Sequence, residues 1–374
     1  MELLDFLDSH EDTWERILTG PPYNLHIVKE KSYILFYYDE KLSDAAQILT
    51  NEANGAIFRK DGKKWICVNY GLPRIFDIQD NHAPANFTIE TAETYQYIDG
   101  QIVYVWNDLG AWHISSREQI DINKQLINML IPLQDLLHPF LTKDFTSQLS
   151  PEFCYTFILT SPKAQKIADY GEQTKLWYIT KRNLLTFKED PIIPNFNIDV
   201  QLPHHFVFLR KRDLLEALRK VVTKDEVGYS MIDSRGNRVA VFGNAYLTAK
   251  SVYDKTSFAP IEIIKLWKTD QLSQYLQLFG KNPIVKLIID SIHELVDKAD
   301  ANFFELKTQA NNDYKTFFAS VSQSYPSLCD YYERKWSKPD LTADLYFKKV
   351  PDRLLAIDIQ KMMKKKQKEH ECIS

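Results

Sequence analysis

The spacing of the apolar residues changes near residue 255, and this change limits the possible folds more than any other feature of the sequence. Before it, short apolar runs are separated by turn residues such as Asp61-Gly62. Runs of this kind predict antiparallel strands joined by tight turns. Over residues 263–295 the apolar residues recur with a period of about 3.6, which is typical of helices. The sequence therefore predicts an α+β chain with a β-rich domain at 1–255 and a mainly helical domain at 256–374.

The same patterns predict individual elements. Asp99-Gly100 lies between two apolar runs, so residues 95–106 are predicted to form a hairpin, strand–tight turn–strand. A second hairpin is predicted at residues 229–242, around Arg235-Gly236. The other predictions are strands at 25–28, 33–38, 155–160 and 176–179, helices at 2–19, 124–137 and 213–222, and a basic C-terminal tail at 361–366.

Composition excludes some classes of protein. Of the 374 residues, 44% are hydrophobic and 26% charged, with a net charge of −4. This balance does not indicate a strongly basic nucleic-acid-binding protein, although it leaves a local basic surface open. The acidic N-terminus does not resemble a signal peptide, and no apolar run approaches the ~20 residues of a membrane-spanning helix. We therefore expect no membrane partner and a location in the cytoplasm or, if the protein is viral, in the virion.

Metal and disulfide chemistry are not indicated. The pair His204-His205 has no further metal-ligating residues at a suitable spacing, so no metal site is predicted. Scattered cysteines without a CxxC spacing predict reduced thiols in a chain of this length. The four cysteines are Cys67, Cys154, Cys329 and Cys372.

Four stretches of the β-rich part carry a resemblance to a known family. They are Tyr97-Ile98-Asp99-Gly100, residues 156–162, Val227-Gly228-Tyr229 and residues 239–242. In order and spacing they resemble the nucleotidyltransferase motifs of the phage-type RNA ligase family, over roughly residues 15–250. The resemblance implies a nucleotidyltransferase fold of the ATP-grasp-like ligase type, with an antiparallel β-sheet core, flanking helices and a small helical domain after it. For an active member it also implies ATP and magnesium as cofactors.

The residues that carry the chemistry in that family are replaced here. Tyr97 stands where the first motif has the lysine that attacks the α-phosphate of ATP, while Asp99 and Gly100 match the motif. A phenol has no amine, so no lysyl-AMP can form at this position. Ile158 stands at the place of a glutamate that contacts ribose, and a hydrocarbon cannot accept a hydrogen bond from a hydroxyl. Asn54 replaces the arginine of the family's Glu-Ala-Arg-Gly stretch.

The metal-binding and phosphate-binding positions differ as well. Val227-Gly228 matches the Glu-Gly of the fourth motif, and Glu226 lies one place early, where a strand would direct it to the opposite face. Ala240 and Phe242 match the two lysines of the fifth motif, which neutralise charge on the α-phosphate. Arg238 lies just before them. The resemblance thus retains the framework and loses the nucleophile, the ribose acceptor, the metal carboxylate and the phosphate cations.

These replacements favour a catalytically inactive RNA ligase homologue that needs no cofactor and uses its fold to bind RNA or the protein partners of an assembly. Two alternatives stay open: an active ATP-dependent RNA ligase with relocated catalytic residues, and a structural virion or assembly protein. Tyr97 would either stack on a base or fill the emptied pocket. The candidate contacts to RNA phosphates, each of which could equally be a solvated surface cation, are Arg117, Arg210, Lys211, Arg212 and Arg238.

Overall fold

The structure, a computed structural model, describes residues 1–127, 131–142, 145–190, 193–194, 199–324 and 328–371, with 323–324 and 367–371 as backbone only. The chain forms two units, Met1–Lys250 and Ser251–Ser374. Antiparallel sheets and flanking helices build the first unit, and helices build the second. The predicted α+β fold class is confirmed. Cys372, one of the four cysteines, lies outside the described residues.

The first sheet is antiparallel, with its four strands side by side in chain order. The predicted turn at Asp61-Gly62 is confirmed, and Gly62 has a φ of +62°, which glycine adopts without strain. The strands are β1 (Leu25–Glu30), β2 (Tyr33–Tyr38), β3 (Asn54–Asp61) and β4 (Lys64–Asn69).

The prediction of a single helix at residues 2–19 is wrong, because two helices occupy this stretch. They are α1 (Glu2–Ser9) and α2 (Trp14–Thr19), and α3 (Ile48–Glu52) follows between β2 and β3. The Asp8 carboxylate accepts a hydrogen bond of 2.9 Å from the Trp65 backbone, which fixes the end of α1 to β4. A break after α1 lets Leu7 and Trp14 both reach the core under the first sheet.

Two further sheets make up the rest of the first unit. In the six-stranded sheet the order is β13-β12-β11-β7-β8, with β14 parallel beside β12; in the five-stranded sheet it is β15-β6-β16-β17-β5. Their strands, and the separate β9–β10 pair, are β5 (Phe76–Asp77), β6 (Glu93–Gln96), β7 (Gln101–Asp108), β8 (Ala111–Ser116), β9 (Leu126–Ile127), β10 (Ile131–Pro132), β11 (Phe153–Thr160), β12 (Lys175–Asn183), β13 (Glu189–Asp190), β14 (Val200–Gln201), β15 (His205–Phe206), β16 (Gly228–Ile232) and β17 (Arg238–Phe242).

The hairpin predicted at residues 95–106 is wrong. β6 and β7 belong to different sheets, and the residues between them cross from one sheet to the other. Gly100 is not needed here for a positive φ. A Cβ at Gly100 would lie 2.5 Å from both the Ile158 Cγ2 and the Leu159 carbonyl oxygen, so only glycine lets the chain cross this close to β11.

The helix predicted at residues 124–137 is mostly wrong as well. Short strands β9 and β10 pair across this stretch, and only α4 (Leu133–Leu137) is helical at its end. Met129, which the apolar spacing placed on the helix, lies outside the described residues. Ile127 on β9 and Leu133 on α4 both pack under the six-stranded sheet. The spacing of their apolar residues does not distinguish this strand and helix from one continuous helix.

Other predicted elements are present. The hairpin at 229–242 is confirmed as β16 and β17, with Gly236 at a φ of +82°. The amphipathic helix at 213–222 is found two residues earlier as α5 (Lys211–Arg219). Its Leu214 packs against Val239 and Val241 on one face of the five-stranded sheet. Short 3-10 helices lie at Ile89–Thr91, Ile122–Lys124, His138–Phe140, Thr146–Gln148 and Pro162–Ala164.

The helical unit is organised around one long helix and a half-buried carboxylate. Asp300 accepts hydrogen bonds from the Lys335 ammonium at 2.5 Å and from the Ala343 backbone at 3.1 Å, so it joins three helices. Among the described residues, no helix combines the length and apolar character that a bilayer crossing needs. The helices from the end of the first unit onward are α6 (Asn244–Thr256), α7 (Pro260–Lys268), α8 (Leu272–Phe279), α9 (Pro283–Gln309), α10 (Tyr314–Ser324), α11 (Cys329–Ser337), α12 (Ala343–Phe347) and α13 (Asp352–Glu371).

Candidate functional site

The candidate site lies between the five-stranded and six-stranded sheets of the first unit. On β17, Arg238, Ala240 and Phe242 share one face because side chains alternate along a strand. Val239 and Val241 point to the other face, where α5 covers the sheet. We call the region facing the six-stranded sheet the inter-sheet site. Its members are Tyr97, Ile158, Arg182, Glu189, Arg238, Ala240 and Phe242.

Tyr97 and Phe242 are in direct contact. Their rings meet edge to face with centroids 5.0 Å apart, and Phe242 also stacks on Tyr246 at 5.5 Å. The Tyr97 backbone donates a hydrogen bond of 2.9 Å to the Gly228 carbonyl, which fixes the crossing segment to β16. Burial raises the pKa of the Tyr97 hydroxyl, so it is neutral at physiological pH. Two of the positions compared with motif lysines, Tyr97 and Phe242, thus hold aromatic rings that pack together.

Ile158 belongs to a small apolar cluster at the same end of the site. It packs with Ile98 and Trp177, and all three are at least nine-tenths buried. The Trp177 indole donates a hydrogen bond of 2.9 Å to the Thr160 hydroxyl, which satisfies its one polar group. This cluster supplies no acceptor for a ribose hydroxyl.

Asp99 organises the loop after β11. Its carboxylate accepts hydrogen bonds from the Ile167 and Ala168 backbones at 3.1 and 3.3 Å, and its own backbone donates to the Tyr170 hydroxyl at 2.7 Å. Asp99 therefore anchors this loop and Gly100 allows close packing against β11, and the two do not form the predicted tight turn. A small, partly open pocket beside Asp99 is lined by residues that include Thr160, Ser161, Gln165 and Asp169.

Glu226 lies away from the inter-sheet site. It is exposed, whereas Val227 is buried. Burial and, after it, the Glu226 carboxylate raise the pKa of Tyr229, whose ring packs with Phe206 and Phe208 on the α5 side of the sheet. Gly228 has a φ of +140°, and a Cβ there would lie 2.0 Å from the Val241 carbonyl oxygen. The Glu-Gly position thus retains its glycine for packing and presents no carboxylate to the site.

Arg238 forms the charged end of the site. Its Nη2 donates to a Glu189 carboxylate oxygen at 2.8 Å, and its Nη1 donates to the Ser230 hydroxyl at 3.0 Å. The other Glu189 oxygen accepts from Arg182 Nη2 at 2.7 Å. Arg238 is on the five-stranded sheet and the other two are on the six-stranded sheet, so this triad ties the sheets together. Arg238 is buried, so its guanidinium does not form part of an exposed surface.

Glu189 is ionised in this setting. Burial alone would raise the pKa of its carboxyl, but the guanidinium groups of Arg238 and Arg182 together hold the pKa below its usual value. Thr180 adds a hydroxyl that donates to the same carboxylate at 3.1 Å. Neither Arg182 nor Glu189 was predicted as a site residue. Arg182 follows Lys181 in the polar second half of β12, so neither it nor Glu189 carries a distinctive sequence signal.

Arg117 is held by the first sheet. Its Nε donates to the Asn54 side chain at 2.9 Å, and its Nη2 donates to the Tyr38 carbonyl at 2.7 Å. The guanidinium lies over the Tyr38 ring, 4.3 Å from the centroid, and Arg74 lies over the same ring at 4.5 Å. Asn54, where the resembled family has an arginine, therefore accepts from an arginine supplied by the end of β8.

The basic residues at the start of α5 are not brought together with Arg238. α5 covers the opposite face of the five-stranded sheet. Arg210 pairs with Asp213 at 3.0 Å and Arg212 pairs with Glu216 at 2.8 Å, and both arginine side chains are more than 70% exposed. Lys211 between them is exposed as well. These three form a separate basic surface.

Three lysines of the first unit are paired with neighbouring groups. Lys175 donates to the Tyr170 carbonyl at 3.1 Å, Lys181 pairs with Asp190 at 3.2 Å, and Lys224 donates to the Ile167 carbonyl at 2.9 Å. Within the described residues there is no group of three or more His, Cys, Asp or Glu side chains that could hold a metal ion.

Comparisons with known proteins found ligases among the solved structures. No protein-family model matches the sequence, and no curated protein matches it. An archaeal ATP-dependent RNA ligase is similar with a TM-score of 0.40 and 10% identity, over 81% of this chain and 83% of that one. A protein from Aquifex aeolicus described as an ATP-dependent DNA ligase has a TM-score of 0.40 and 12% identity, over 78% of this chain and 80% of that one. A mutant of Naegleria gruberi RNA ligase with ATP and Mn has a TM-score of 0.34 and 9% identity, over 60% of this chain and 92% of that one.

These neighbours are ATP-dependent RNA and DNA ligases, the class that the sequence motifs resemble. At TM-scores of 0.40 and below, no residue role is transferred from them to this chain. The inter-sheet site is therefore interpreted from its own contacts.

Proposed function

We propose that this chain is a catalytically inactive, ligase-like protein that acts by binding. The observation that carries the proposal is the edge-to-face contact of Tyr97 and Phe242, with centroids 5.0 Å apart. Covalent adenylyl transfer needs a deprotonated amine in line with the leaving pyrophosphate and cations around the α-phosphate. Two packed rings supply neither. A triphosphate placed there would lose its hydration without gaining charge-assisted hydrogen bonds.

The charged end of the site supports the same proposal. Arg182 and Arg238 are the guanidinium groups of the inter-sheet site, and Glu189 already accepts a hydrogen bond from each. On neighbouring elements, Lys175, Lys181 and Lys224 have partners as well. An active ligase with relocated residues would need one of these groups to leave its partner.

Labelling with ATP tests the loss of catalysis. The full chain is incubated with α-labelled ATP and magnesium, beside an active ATP-dependent ligase as the assay control. We expect no covalent label on the wild type, and none on Tyr97→Lys, because Ala240 and Phe242 leave the α-phosphate without cations. Acid-labile label on a lysine of the wild type would disprove the proposal.

We further propose that the binding partner is RNA, contacted by the basic surface at Arg210, Lys211 and Arg212. What supports this is the exposure of all three on one helix start, away from the buried Arg238. Phosphate contacts release counterions, so the affinity for single-stranded RNA should fall with salt with a log–log slope of about −2 for three contacts. Replacing the three by alanine should abolish this slope. Lys63→Ala/Lys64→Ala, on the exposed β3–β4 turn, is the matched control.

A protein partner is the second candidate, and a specific observation favours it. Val207, Leu209, Leu215 and Val222 are between 41% and 75% exposed, within one short stretch of the chain. Clustered apolar exposure marks protein interaction surfaces more often than nucleic-acid surfaces. RNA binding that is absent or insensitive to salt, combined with self-association lost in Val207→Ser/Leu209→Ser, would favour this candidate over RNA.

A further inference from the structure

Two buried arginines between the sheets share one carboxylate. Arg238 and Arg182 approach different oxygens of Glu189, at 2.8 and 2.7 Å. The Arg238 side chain is 5% exposed, Arg182 10% and Glu189 15%. Two guanidinium groups converging on one anion from two different sheets resemble the way arginines hold a phosphate, whose oxygens accept from separate donors.

The trio is not electrically balanced. Two guanidinium groups and one carboxylate sum to one positive charge, in a region where water does not screen it well. Within the described part of the chain, the Nε of Arg238 has no hydrogen-bond partner. A carboxylate offers two oxygens, whereas a phosphate carries more charge and more acceptors. Arg182 also donates to the Gly71 and Phe187 carbonyls, at 3.0 and 2.7 Å, so the donor capacity that Glu189 does not use lies at Arg238.

The carboxylate is on the least secured element of the three. Glu189 is on β13 at the edge of its sheet, where the described residues form two register pairs, Lys181–Asp190 and Arg182–Glu189. Arg182 is on the nine-residue β12, inside that sheet. Short edge strands open at lower free energy than the strands they pair with. Opening of β13 would withdraw the carboxylate from Arg238 and Arg182, whereas the Gly71 carbonyl would still accept from Arg182.

We propose that Arg182 and Arg238 form an oxyanion site for phosphate or pyrophosphate groups, and that Glu189 fills this site as a built-in carboxylate. In the wild type the carboxylate keeps free phosphate out and holds the sheets together. The inference rests on the proposed function, since it concerns the same region in a chain that does not transfer adenylate. ATP labelling tests that function, and the anion titration below tests this site, so the two can fail separately.

The test is Glu189→Gln, which keeps the volume of the side chain and removes its charge. Thermal unfolding of the full chain is followed against phosphate and pyrophosphate, with chloride at matched ionic strength. For the variant we expect a saturable rise of the midpoint, about 5 °C at about a hundredfold excess over Kd. The wild type should show only the small, non-saturating rise that phosphate gives any protein.

Two further variants identify the site. Asp190→Asn is the matched control, because Asp190 is the neighbour of Glu189 on β13 and pairs with Lys181 instead of the two arginines. It should behave as the wild type. Glu189→Gln/Arg238→Met removes one of the two donors and should lose the saturable rise. If Glu189→Gln does not fold in chloride, its refolding yield in pyrophosphate replaces the midpoint as the readout.

The outcomes are separable. A saturable effect of pyrophosphate in Glu189→Gln, absent in the double variant, supports the site. An equal response of Glu189→Gln, Asp190→Asn and the wild type, or no recovery of Glu189→Gln by pyrophosphate over chloride, means that the triad is an ion pair of structural value alone and overturns the proposal.

Discussion

The two ends of the inter-sheet site are stabilised by different kinds of interaction. At one end Tyr97 packs on Phe242 and Ile158 packs on Trp177. At the other end Arg238 and Arg182 share Glu189. The aromatic end is stabilised by burial and dispersion, and the ionic end by charges that must stay paired. The apolar side chains of this region are thus found at the motif positions. Its charged side chains are found at positions outside the motifs.

The largest effect is expected at the ionic end. Glu189→Leu leaves two buried guanidinium groups without their anion, and removing one partner of a buried ion pair costs about 3–5 kcal/mol. Urea unfolding of the full chain measures the change. Asp190→Leu, which removes the more exposed partner of Lys181 on the same strand, should cost about 1 kcal/mol or less. Equal losses of unfolding free energy in the two variants would show that the triad stabilises the fold no more than the Lys181–Asp190 pair does.

At the aromatic end, Phe242→Ala should cost about 3 kcal/mol, the lower end of the range for phenylalanine truncation, because the ring is only partly buried. The loss combines the contacts to Tyr97 and to Tyr246. Unfolding midpoints in urea, with Phe242→Leu as the volume-conserving control, give the measurement. A change below about 1 kcal/mol for Phe242→Ala would mean that the packing of the two rings contributes little to stability.

The crossing segment between β6 and β7 gives a smaller effect. Gly100→Ala should cost about 2 kcal/mol, because the added methyl would lie 2.5 Å from the Leu159 carbonyl oxygen and the strand must move. Gly110→Ala is the contrast: nothing lies within 4 Å, but the φ of +82° strains alanine by about 1 kcal/mol. If Gly100 were the turn residue of a hairpin, the two costs would be alike.

The smallest and most selective effects are expected with pH. The pKa of Glu189 is lowered in the folded chain, so its ionised form contributes stability above the unfolded pKa of about 4.3, and this is lost as the pH falls through the folded value. The difference between the wild type and Glu189→Gln should therefore shrink in acid. The pKa of Tyr97 is raised by burial, so its contribution is lost at alkaline pH, above about 10, where the unfolded chain ionises first.

Tyr97→Phe should accordingly reduce the alkaline loss and leave the acid limb unchanged, while Glu189→Gln does the reverse. Unfolding free energies from denaturant series at each pH separate the two. Tyr97→Phe altering the acid limb would contradict the assignment of the two ends to different interactions.

The sequence predicted the local elements of this fold better than their partners. Asp61-Gly62 and Gly236 form the turns that their residue types favour, because a positive φ is a local property. Asp99-Gly100 shows the same dipeptide signal, yet Gly100 is used for close approach to β11, which is a contact between distant segments. No local pattern distinguishes the two uses.

The same limit applies to the site. Ala240, Phe242 and Arg238 could be placed on one strand face from their spacing alone. The pairing of Arg238 with Glu189, which is 49 residues away, could not be placed in this way. Arg210, Lys211 and Arg212 looked equivalent to Arg238 as candidate phosphate contacts, but only the structure shows that three are exposed and one is buried.

The central claim is that the inter-sheet site is filled by the chain's own side chains and excludes nucleotide. Isothermal titration of the full wild-type chain with ATP in magnesium tests it most directly. We predict no saturable heat of binding up to millimolar ATP, because the Tyr97 and Phe242 rings pack on each other and Glu189 already pairs with Arg182 and Arg238. Saturable, magnesium-dependent binding of ATP, weakened by Arg238→Met, would contradict it.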